Sequence, residues 1–381
     1  MKTRTQRLDS RKLAVGGTSD GGSPAPEISI DGRKIGAAHP PYIIAEMSGN
    51  HNGELKRALD LISAAKEAGA DAVKLQTYTA DTITIDHDGP GFVIKGGLWD
   101  GRTLHDLYQE AHTPWEWHPD LFAHARSIGI SIFSSPFDPT ATAYLQTLNA
   151  PAYKVASFEI VDIPLIEQIA SIGKPMIIST GIASLADIED AVTAAHGKGL
   201  RDIALLHCVS GYPTPASEAN LRTIADISSR FGLVTGLSDH TLGTSVAVAA
   251  IGLGASIIEK HFTLRRADGG PDSAFSLEPN ELAQLVRDCR TAWEALGEAN
   301  YELKESEKGN SMYRRSLYAV RDIAAGEELT DLNIRSIRPG YGLPPKDLPK
   351  VLGKHAACAI PRGTALDWSL IGDTQYLPRS L

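Results

Sequence analysis

Eight short apolar runs, separated by segments with helical apolar spacing, are the feature that most constrains the fold of this chain. The predicted strands cover residues 42–46, 72–76, 131–134, 152–155, 175–179, 203–208, 233–237 and 256–260. The predicted helices include residues 55–68, 115–128, 186–198, 244–252 and 279–296. Strands that alternate with helices favour a parallel sheet with crossover helices, and eight such units close most simply into a (β/α)8 TIM barrel.

Glycines between the helices and the following strands support this pattern. They are Gly69, Gly129, Gly173, Gly199, Gly232 and Gly254. A chain that leaves a helix often needs a positive φ, which glycine adopts without strain. The structural alternative is a doubly wound open sheet. It is disfavoured because the first strand is followed by SGNHNG (residues 48–53), which lacks the GxGxxG pattern of dinucleotide-binding folds.

Polar side chains able to bind or catalyse stand at the ends of the predicted strands. They are Glu46, Lys74, Gln76, Lys154, Ser157, Ser179, Thr180, His207, Ser238, His240 and His261. In a barrel, the C-terminal ends of the strands converge on one mouth, which is where barrel enzymes carry out their chemistry. The sequence therefore predicts an active site at that mouth.

Each of these residue types allows more than one interpretation. His240 and His261 could bind a divalent metal ion through neutral imidazoles, or could be hydrogen-bonded histidines of the mouth. Lys74 and Lys154 could anchor an anion, pair with Glu46 or Glu159, or form a Schiff base. The neighbouring serine hydroxyls favour the anion site. Glu46 could be a general base or the partner of a lysine.

Length and composition predict two domains. A chain of 381 residues, with 42% hydrophobic and 22% charged residues, can hold one barrel and a smaller domain. We expect a flexible leader in residues 1–27, the barrel in 28–299, a polar linker in 300–312 and a compact domain in 313–381. The last part has short strands punctuated by Gly and Pro.

Charge and cysteine content exclude several classes of protein. The net charge of −9 disfavours a nucleic-acid-binding surface. Cys208, Cys289 and Cys358 lie far apart without CxxC spacing, so we expect no disulfide framework, no cysteine metal site and a reduced cytoplasmic protein. No apolar run approaches the roughly 18 to 20 residues that span a bilayer.

Five stretches of the barrel resemble the sialic acid synthase family: IAEMSGNHNG (44–53), KLQT (74–77), YKVASFE (153–159), GLSDHT (236–241) and EKHFT (259–263). The tail, with RSL (315–317) and RPG (338–340), resembles that family's antifreeze-like (SAF) domain. Together they span about residues 28–375. Within the family, residues 46–52, 108–118, 156–159 and 268–279 resemble the pseudaminic acid synthase branch.

The resemblance implies a condensation of phosphoenolpyruvate with an open-chain N-acetylated amino sugar and water, which releases phosphate and forms a nine-carbon 2-keto sugar acid. For this branch the acceptor is 2,4-diacetamido-2,4,6-trideoxy-L-altrose. One alternative is a neuraminate or legionaminate synthase, which uses the same chemistry on a mannose-type sugar. A more distant alternative is a non-catalytic protein that binds a glycan or a surface.

The resemblance also implies roles for individual residues. His240 and His261 would hold a divalent cation, Mn²⁺ with Mg²⁺ or Co²⁺ as alternatives, and Glu46 would move the proton of the attacking water. The expected phosphoenolpyruvate ligands are Lys74, Lys154, Ser157, Ser179, Ser238 and Ser135. Arg338 is an expected sugar ligand, and Gln76, Glu159 and Asp239 are expected either to contact the sugar or to orient the residues that do. In relatives the small domain lies over the partner subunit's active site in a homodimer, and Arg338 matches an arginine that reaches the substrate's acyl group.

Overall fold

The computed structural model describes residues 25–372, which divide into two compact units between Gly297 and Glu298. The first unit begins with a hairpin of β1 (Glu27–Ile30) and β2 (Arg33–Gly36). Its two-residue turn, Asp31-Gly32, has positive φ at both positions, which is the geometry that Asp-Gly favours in tight hairpins. The expected leader therefore ends earlier than predicted, because Glu27 belongs to a strand. Residues 1–24 of that leader lie outside the described part.

Eight parallel strands follow and close into a barrel in the order β10-β3-β4-β5-β6-β7-β8-β9. They are β3 (Tyr42–Glu46), β4 (Ala72–Thr77), β5 (Ser131–Pro136), β6 (Tyr153–Val155), β7 (Met176–Ser179), β8 (Ile203–Cys208), β9 (Val234–Asp239) and β10 (Ile257–His261). The predicted TIM barrel is confirmed. All eight predicted strands are present, with ends that differ by no more than two residues.

Between residue 25 and Gly297, ten α-helices connect or flank the strands. They are α1 (Leu55–Glu67), α2 (Ala80–Ile83), α3 (Leu104–Ala111), α4 (His118–Ile128), α5 (Pro139–Thr147), α6 (Ile163–Ala170), α7 (Leu185–Gly197), α8 (Arg222–Phe231), α9 (Ser245–Ile251) and α10 (Pro279–Leu296). The six glycines between helices and strands all have positive φ. None of the helices within residues 25–372 is long and apolar enough to cross a membrane.

Two apolar cores hold the barrel together, one on each side of its wall. The larger lies between the strands and the helices and includes Leu75, Leu121 and Ile166. The smaller fills the barrel interior with side chains such as Phe133 and Ile177, and it continues into Ile28, Ile30 and Ile35 of the hairpin. The hairpin thus closes the interior with apolar side chains, and the polar side chains that end the strands occupy the opposite, C-terminal end.

The second unit has a small core of its own. It contains α11 (Glu305–Lys308), the antiparallel pair of β11 (Ser316–Ala319) and β12 (Ile334–Ile337), α12 (Leu348–Val351), and the pair of β13 (His355–Ala356) and β14 (Ile371–Gly372). Its apolar core consists of Leu317, Ala319, Ile323, Leu329, Ile334, Val351, Ala356, Ile360 and Leu366. The expected linker, residues 300–312, contains the single helical turn α11. Residues 373–381, which were expected to belong to this domain, lie outside the described part.

Candidate active site

A layer of buried charges lies inside the barrel, directly above its apolar core. Glu46 ends β3 and stands in register with Lys74 on β4, so both side chains enter the interior at the same level. The Lys74 ammonium lies 2.7 Å from Glu46 Oε2 and 3.9 Å from Glu259 Oε1 of β10. All three residues are at most 5% exposed. Lys74 therefore bridges two buried carboxylates.

Lys154 provides the second cation of this layer. Its ammonium donates a hydrogen bond of 2.6 Å to Ser179 Oγ and one of 3.0 Å to the Val155 carbonyl. The residue is 1% exposed. Burial lowers the pKa of Lys154 below its ordinary value, although Glu259 offsets part of that effect. An additional negative charge nearby would therefore stabilise the protonated form of Lys154.

The pKa values of the other charged groups reflect the same competition between burial and charge. Burial raises the pKa of Glu46, and Lys74 offsets part of the rise. Burial alone lowers the pKa of Lys74, but Glu259 and Glu46 outweigh it and raise that pKa. Burial alone raises the pKa of Glu259, but Lys154 and Lys74 outweigh it and lower that pKa. Glu46 is thus the carboxylate in this layer that takes up a proton more readily.

Serine hydroxyls line the same layer. Ser135 Oγ lies 3.4 Å from the Lys74 ammonium, and Ser238 Oγ donates to Glu259 Oε1 at 2.9 Å. Ser157 Oγ accepts a hydrogen bond of 3.1 Å from the Gly181 backbone N–H. A Cβ atom on Gly181 would lie 2.7 Å from this oxygen, so a side chain there would displace it. The structure therefore brings all six expected phosphoenolpyruvate ligands, the lysines and the serines, to one end of the barrel.

The two histidines face each other across the mouth. Their ring centroids are 5.4 Å apart, and the Tyr212 ring packs 4.4 Å from His240. His240 Nδ1 donates to the Val209 carbonyl at 3.0 Å, which leaves its Nε2 available to a ligand. Burial lowers the pKa of His240, but Cys208, whose Sγ lies 3.8 Å from Nδ1, and the Val209 carbonyl outweigh burial and raise that pKa above its ordinary value. His261 Nδ1 is buried without a hydrogen-bond partner, and burial together with His240 keeps the pKa of His261 well below its ordinary value.

The free ring nitrogens can contribute to a divalent-cation site, because imidazole is a common ligand of divalent transition metals. In residues 25–372, no group of three or more His, Cys, Asp or Glu side chains could hold a metal ion by itself. His240 and His261 would therefore leave positions open for water and substrate.

A chain of polar groups crosses the mouth beside the histidines. Gln76 Nε2 donates to Glu46 Oε1 at 2.8 Å and to Ser48 Oγ at 3.1 Å. The Ser48 hydroxyl in turn donates to Asp272 Oδ2, which lies 3.8 Å from His261 Nδ1. Burial raises the pKa of Asp272 above its ordinary value, although Ser48 offsets part of that rise. Gln76 thus connects the buried charge layer to the histidine pair.

One expected sugar ligand does not face the mouth. Asp239 is 3% exposed, and its carboxylate accepts hydrogen bonds from Lys260 Nζ at 2.7 Å and from the Thr241 backbone N–H at 2.9 Å. Because side chains alternate along a strand, Ser238 points into the barrel and Asp239 points to the helix side. The expectation of a direct sugar contact by Asp239 is therefore wrong, and its role is to hold the strand end.

The other two expected sugar ligands differ in their surroundings. Glu159 lies in a single turn after β6, and burial raises its pKa to about 7, although Lys154 offsets part of that rise. Its Oε2 is buried without a hydrogen-bond partner. Arg338 is an exposed residue of the second unit, just after β12.

Two further site residues were missed at the sequence level. Glu259 precedes His261 by two positions in the same strand. Because every second side chain of a strand lies on the same face, this spacing could have identified Glu259 as a site residue. Asp272 lies in a loop rich in glycine, and no local pattern marks its carboxylate as part of the site. Both carboxylates are buried and directed at the residues described above.

Replacing Lys74 by Met tests whether the charge layer is held together by this cation. We expect the variant to lose about 3–5 kcal/mol of unfolding free energy at pH 8, because two buried carboxylates lose their shared partner. The loss should shrink toward pH 5. Without Lys74 the folded-state pKa of Glu46 lies further above its unfolded value. The free-energy cost of burying the ionised Glu46 therefore grows as the pH rises, and protonation at low pH removes that cost. Denaturant unfolding of the ligand-free protein measures this.

Lys56→Met is the matched control, because Lys56 forms an exposed ion pair of 2.6 Å with Asp60. We expect it to change the unfolding free energy by less than about 1 kcal/mol. Equal losses in the two variants, or a loss for Lys74→Met that does not depend on pH, would contradict this view of the layer.

Known proteins show the same organisation. The NeuB family matches residues 61–301, and the SAF domain matches residues 314–371. A pseudaminic acid synthase of Helicobacter pylori is 45% identical over 329 residues, which are 86% of this chain and 96% of that protein. An N,N'-diacetyllegionaminic acid synthase of Campylobacter jejuni is 37% identical over 318 residues, which are 82% of this chain and 95% of that protein.

A solved structure agrees with these relatives. It is an N-acetylneuraminic acid synthetase from Leptospira borgpetersenii in complex with citrate, with a TM-score of 0.68 and 34% identity. The match covers 76% of this chain and 96% of that chain. The resemblance to the sialic acid synthases and to their pseudaminic acid branch is confirmed. This chain belongs to the NeuB family and carries a C-terminal SAF domain.

Proposed function

We propose that this protein is an enzyme that condenses phosphoenolpyruvate with 2,4-diacetamido-2,4,6-trideoxy-L-altrose and water to give pseudaminic acid and phosphate. The observation that carries the proposal is the buried layer of two lysines and four serines beside the pair of His240 and His261. The similarity to a pseudaminic acid synthase at 45% identity supports the choice of sugar, since the legionaminic acid synthase is 37% identical.

Phosphoenolpyruvate carries a phosphate and a carboxylate, so its binding site needs cations and hydroxyl donors. Lys74 and Lys154 supply the cations in a space from which water is largely excluded, where electrostatic attraction is strong. Ser135, Ser157, Ser179 and Ser238 supply hydroxyls around them. The apolar layer beneath, which includes Phe133, limits how deeply the substrate enters.

The carbon–carbon bond forms between C3 of phosphoenolpyruvate and the aldehyde carbon of the open-chain sugar. A divalent cation, for which we propose Mn²⁺ with Mg²⁺ or Co²⁺ as alternatives, would act as a Lewis acid on the sugar carbonyl when it is bound by His240 and His261. The Asp272 carboxyl group faces His261, with its Oδ2 3.8 Å from Nδ1 and no hydrogen bond between them in the ligand-free protein. The histidines therefore define where the aldehyde end of the sugar lies.

Glu46 is the proposed general base. As C3 attacks, positive charge develops at C2, and a water adds there while its proton passes to Glu46. The former aldehyde oxygen takes up a proton and becomes a hydroxyl group. The C2 hydroxyl of the tetrahedral intermediate then loses its proton as the bond between C2 and the bridging oxygen breaks, so that C2 becomes a ketone and phosphate leaves. Burial raises the pKa of Glu46 and so prepares it to accept the proton, while Lys74 and Gln76 fix its carboxylate.

Gln76 and Glu159 are the proposed contacts of the sugar within the barrel. Gln76 connects Glu46 with Ser48 at the mouth, and Glu159 carries a buried oxygen without a partner. Because the pKa of Glu159 is about 7, its carboxyl group can donate or accept a hydrogen bond near neutral pH. We place the reaction in the cytoplasm, in accord with three free cysteines in the described residues.

We further propose a homodimer in which the SAF domain of one subunit lies over the other subunit's active site, so that Arg338 reaches the acyl group of the sugar. We expect Arg338→Ala to raise the KM for the sugar about tenfold, because one charged hydrogen bond is lost. The KM for phosphoenolpyruvate should remain unchanged. Exposed Arg335 provides the control variant. Equal changes in both KM values would contradict this role.

The acceptor preference tests the proposed function itself. Purified protein with Mn²⁺ and phosphoenolpyruvate should release phosphate with the altrose sugar at a kcat/KM at least about tenfold above that with N-acetylmannosamine or the diacetamido mannose isomer. Mass spectrometry of the product provides the control for simple hydrolysis. Preference for a mannose-type sugar would instead identify a neuraminate or legionaminate synthase, and no release with any sugar would favour a non-catalytic glycan-binding protein.

A further inference from the structure

Residues 84–103, between α2 and α3, fold into a compact turn beside the active site. Backbone hydrogen bonds hold the turn together, from Ile94 N–H to the Arg102 carbonyl at 2.9 Å and from Leu104 N–H to the Phe92 carbonyl at 2.8 Å. Val93 and Thr103 form an antiparallel bridge at its base. The segment is therefore an ordered element, with its own fixed side-chain positions, rather than an open loop.

Trp99 connects this turn to the loop that follows β10. Its indole N–H donates to the Pro271 carbonyl at 3.0 Å. Its ring lies 5.8 Å from the ring of Tyr212, which in turn packs against His240. A row of aromatic rings thus runs from the turn to the histidine pair.

A cavity of about 280 Å³ lies between the turn and the β10 loop. It is an open depression lined by Leu98, Trp99, Arg102, Glu110, Gly270, Pro271 and Ala274, of which Leu98, Glu110, Gly270 and Ala274 are exposed. Ligand pockets usually measure roughly 300–1,000 Å³, so this one has the size for part of a sugar rather than a whole substrate. Four of the six side chains are apolar or aromatic.

The polar edge of the cavity carries one guanidinium and two carboxylates, which together leave a net negative charge. The Arg102 guanidinium lies 2.7 Å from Glu110 Oε2 and 2.8 Å from Asp106 Oδ2. Because two carboxylates compensate its charge, this edge is poorly suited to an anion such as phosphate. It is suited to a neutral group that both donates and accepts hydrogen bonds, as an acetamido group does.

The cavity adjoins the site at Asp272. Pro271 and Ala274 lie on either side of this residue in the chain, and its carboxylate contacts Ser48 and faces His261. Neighbouring Gly270 has a φ of +116°, and a Cβ atom there would lie 2.3 Å from Asn52 Oδ1. The close approach of Gly270 to Asn52 therefore fixes the loop that carries Pro271 and Asp272.

We propose that this cavity receives the distal end of the acceptor, its C6 methyl group and 4-acetamido group, and thereby selects a deoxy diacetamido sugar over a hydroxylated one. The inference rests on the proposed function, in which the aldehyde end lies at the histidines. The opposite end of the open chain must then extend outward, and the apolar walls favour methyl groups over hydroxyls. Glu110 and residues 270–274 also belong to stretches that resemble the pseudaminic acid branch.

Two substitutions and one control test the cavity. Ala274→Phe fills it from an exposed position and should raise the KM for the altrose sugar about tenfold or more, with the KM for phosphoenolpyruvate within twofold of the parent. Trp99→Ala removes one wall and should lower the kcat/KM preference for the altrose sugar over N-acetylmannosamine about tenfold. Trp293→Phe removes a similar indole bond, to the Ala37 carbonyl, at α10 and should change neither quantity.

The outcomes separate this inference from the proposed function. If the parent protein uses the altrose sugar but both variants keep its KM and its preference, the cavity does not hold the sugar and the inference is overturned while the function stands. An equal rise in the KM values of both substrates in Ala274→Phe would also overturn it. If the parent protein condenses none of the sugars, the function fails and the inference fails with it.

Discussion

The burial of four ionisable side chains in one layer of a closed barrel is the constraint on which the rest of this structure depends. Glu46, Lys74, Lys154 and Glu259 are removed from water, so their charges must be compensated within the layer. Lys74 contacts both carboxylates, whereas Lys154 is held by Ser179 and the Val155 carbonyl and is stabilised by the charge of Glu259. The register between β3 and β4 and the closure of β10 onto β3 bring these partners together. A shift of one strand by one residue would point its charge into the outer apolar core.

The two ends of the barrel contribute differently to this layer. The hairpin of β1 and β2 closes the interior with apolar side chains, which keeps water from the lower side of the charges. The open end brings in serine hydroxyls, the histidine pair and Asp272. An anion that enters from this end meets Lys154, whose pKa is lowered by burial, and stabilises its protonated form. Substrate binding and lysine protonation therefore support each other.

Much of this arrangement follows from the sequence, since apolar runs and strand ends determine the barrel and bring Lys74, Lys154 and His261 to one mouth. What failed was the direction of individual side chains. Asp239 follows Ser238 directly and so points to the opposite side of the strand, where Lys260 binds it. Contacts between distant loops were also inaccessible, because the bond from Trp99 to Pro271 joins residues 172 positions apart and no local pattern encodes it.

The central claim is that water adds to C2 of phosphoenolpyruvate inside the charged layer, so that the carbon–oxygen bond breaks. Phosphoenolpyruvate labelled with ¹⁸O at the bridging position tests this directly when the released phosphate is examined by ³¹P NMR during turnover with the altrose sugar. The account predicts that the label appears in the phosphate. Unlabelled phosphate, with the ¹⁸O retained in the sugar acid, would show that water attacks phosphorus instead and would contradict it.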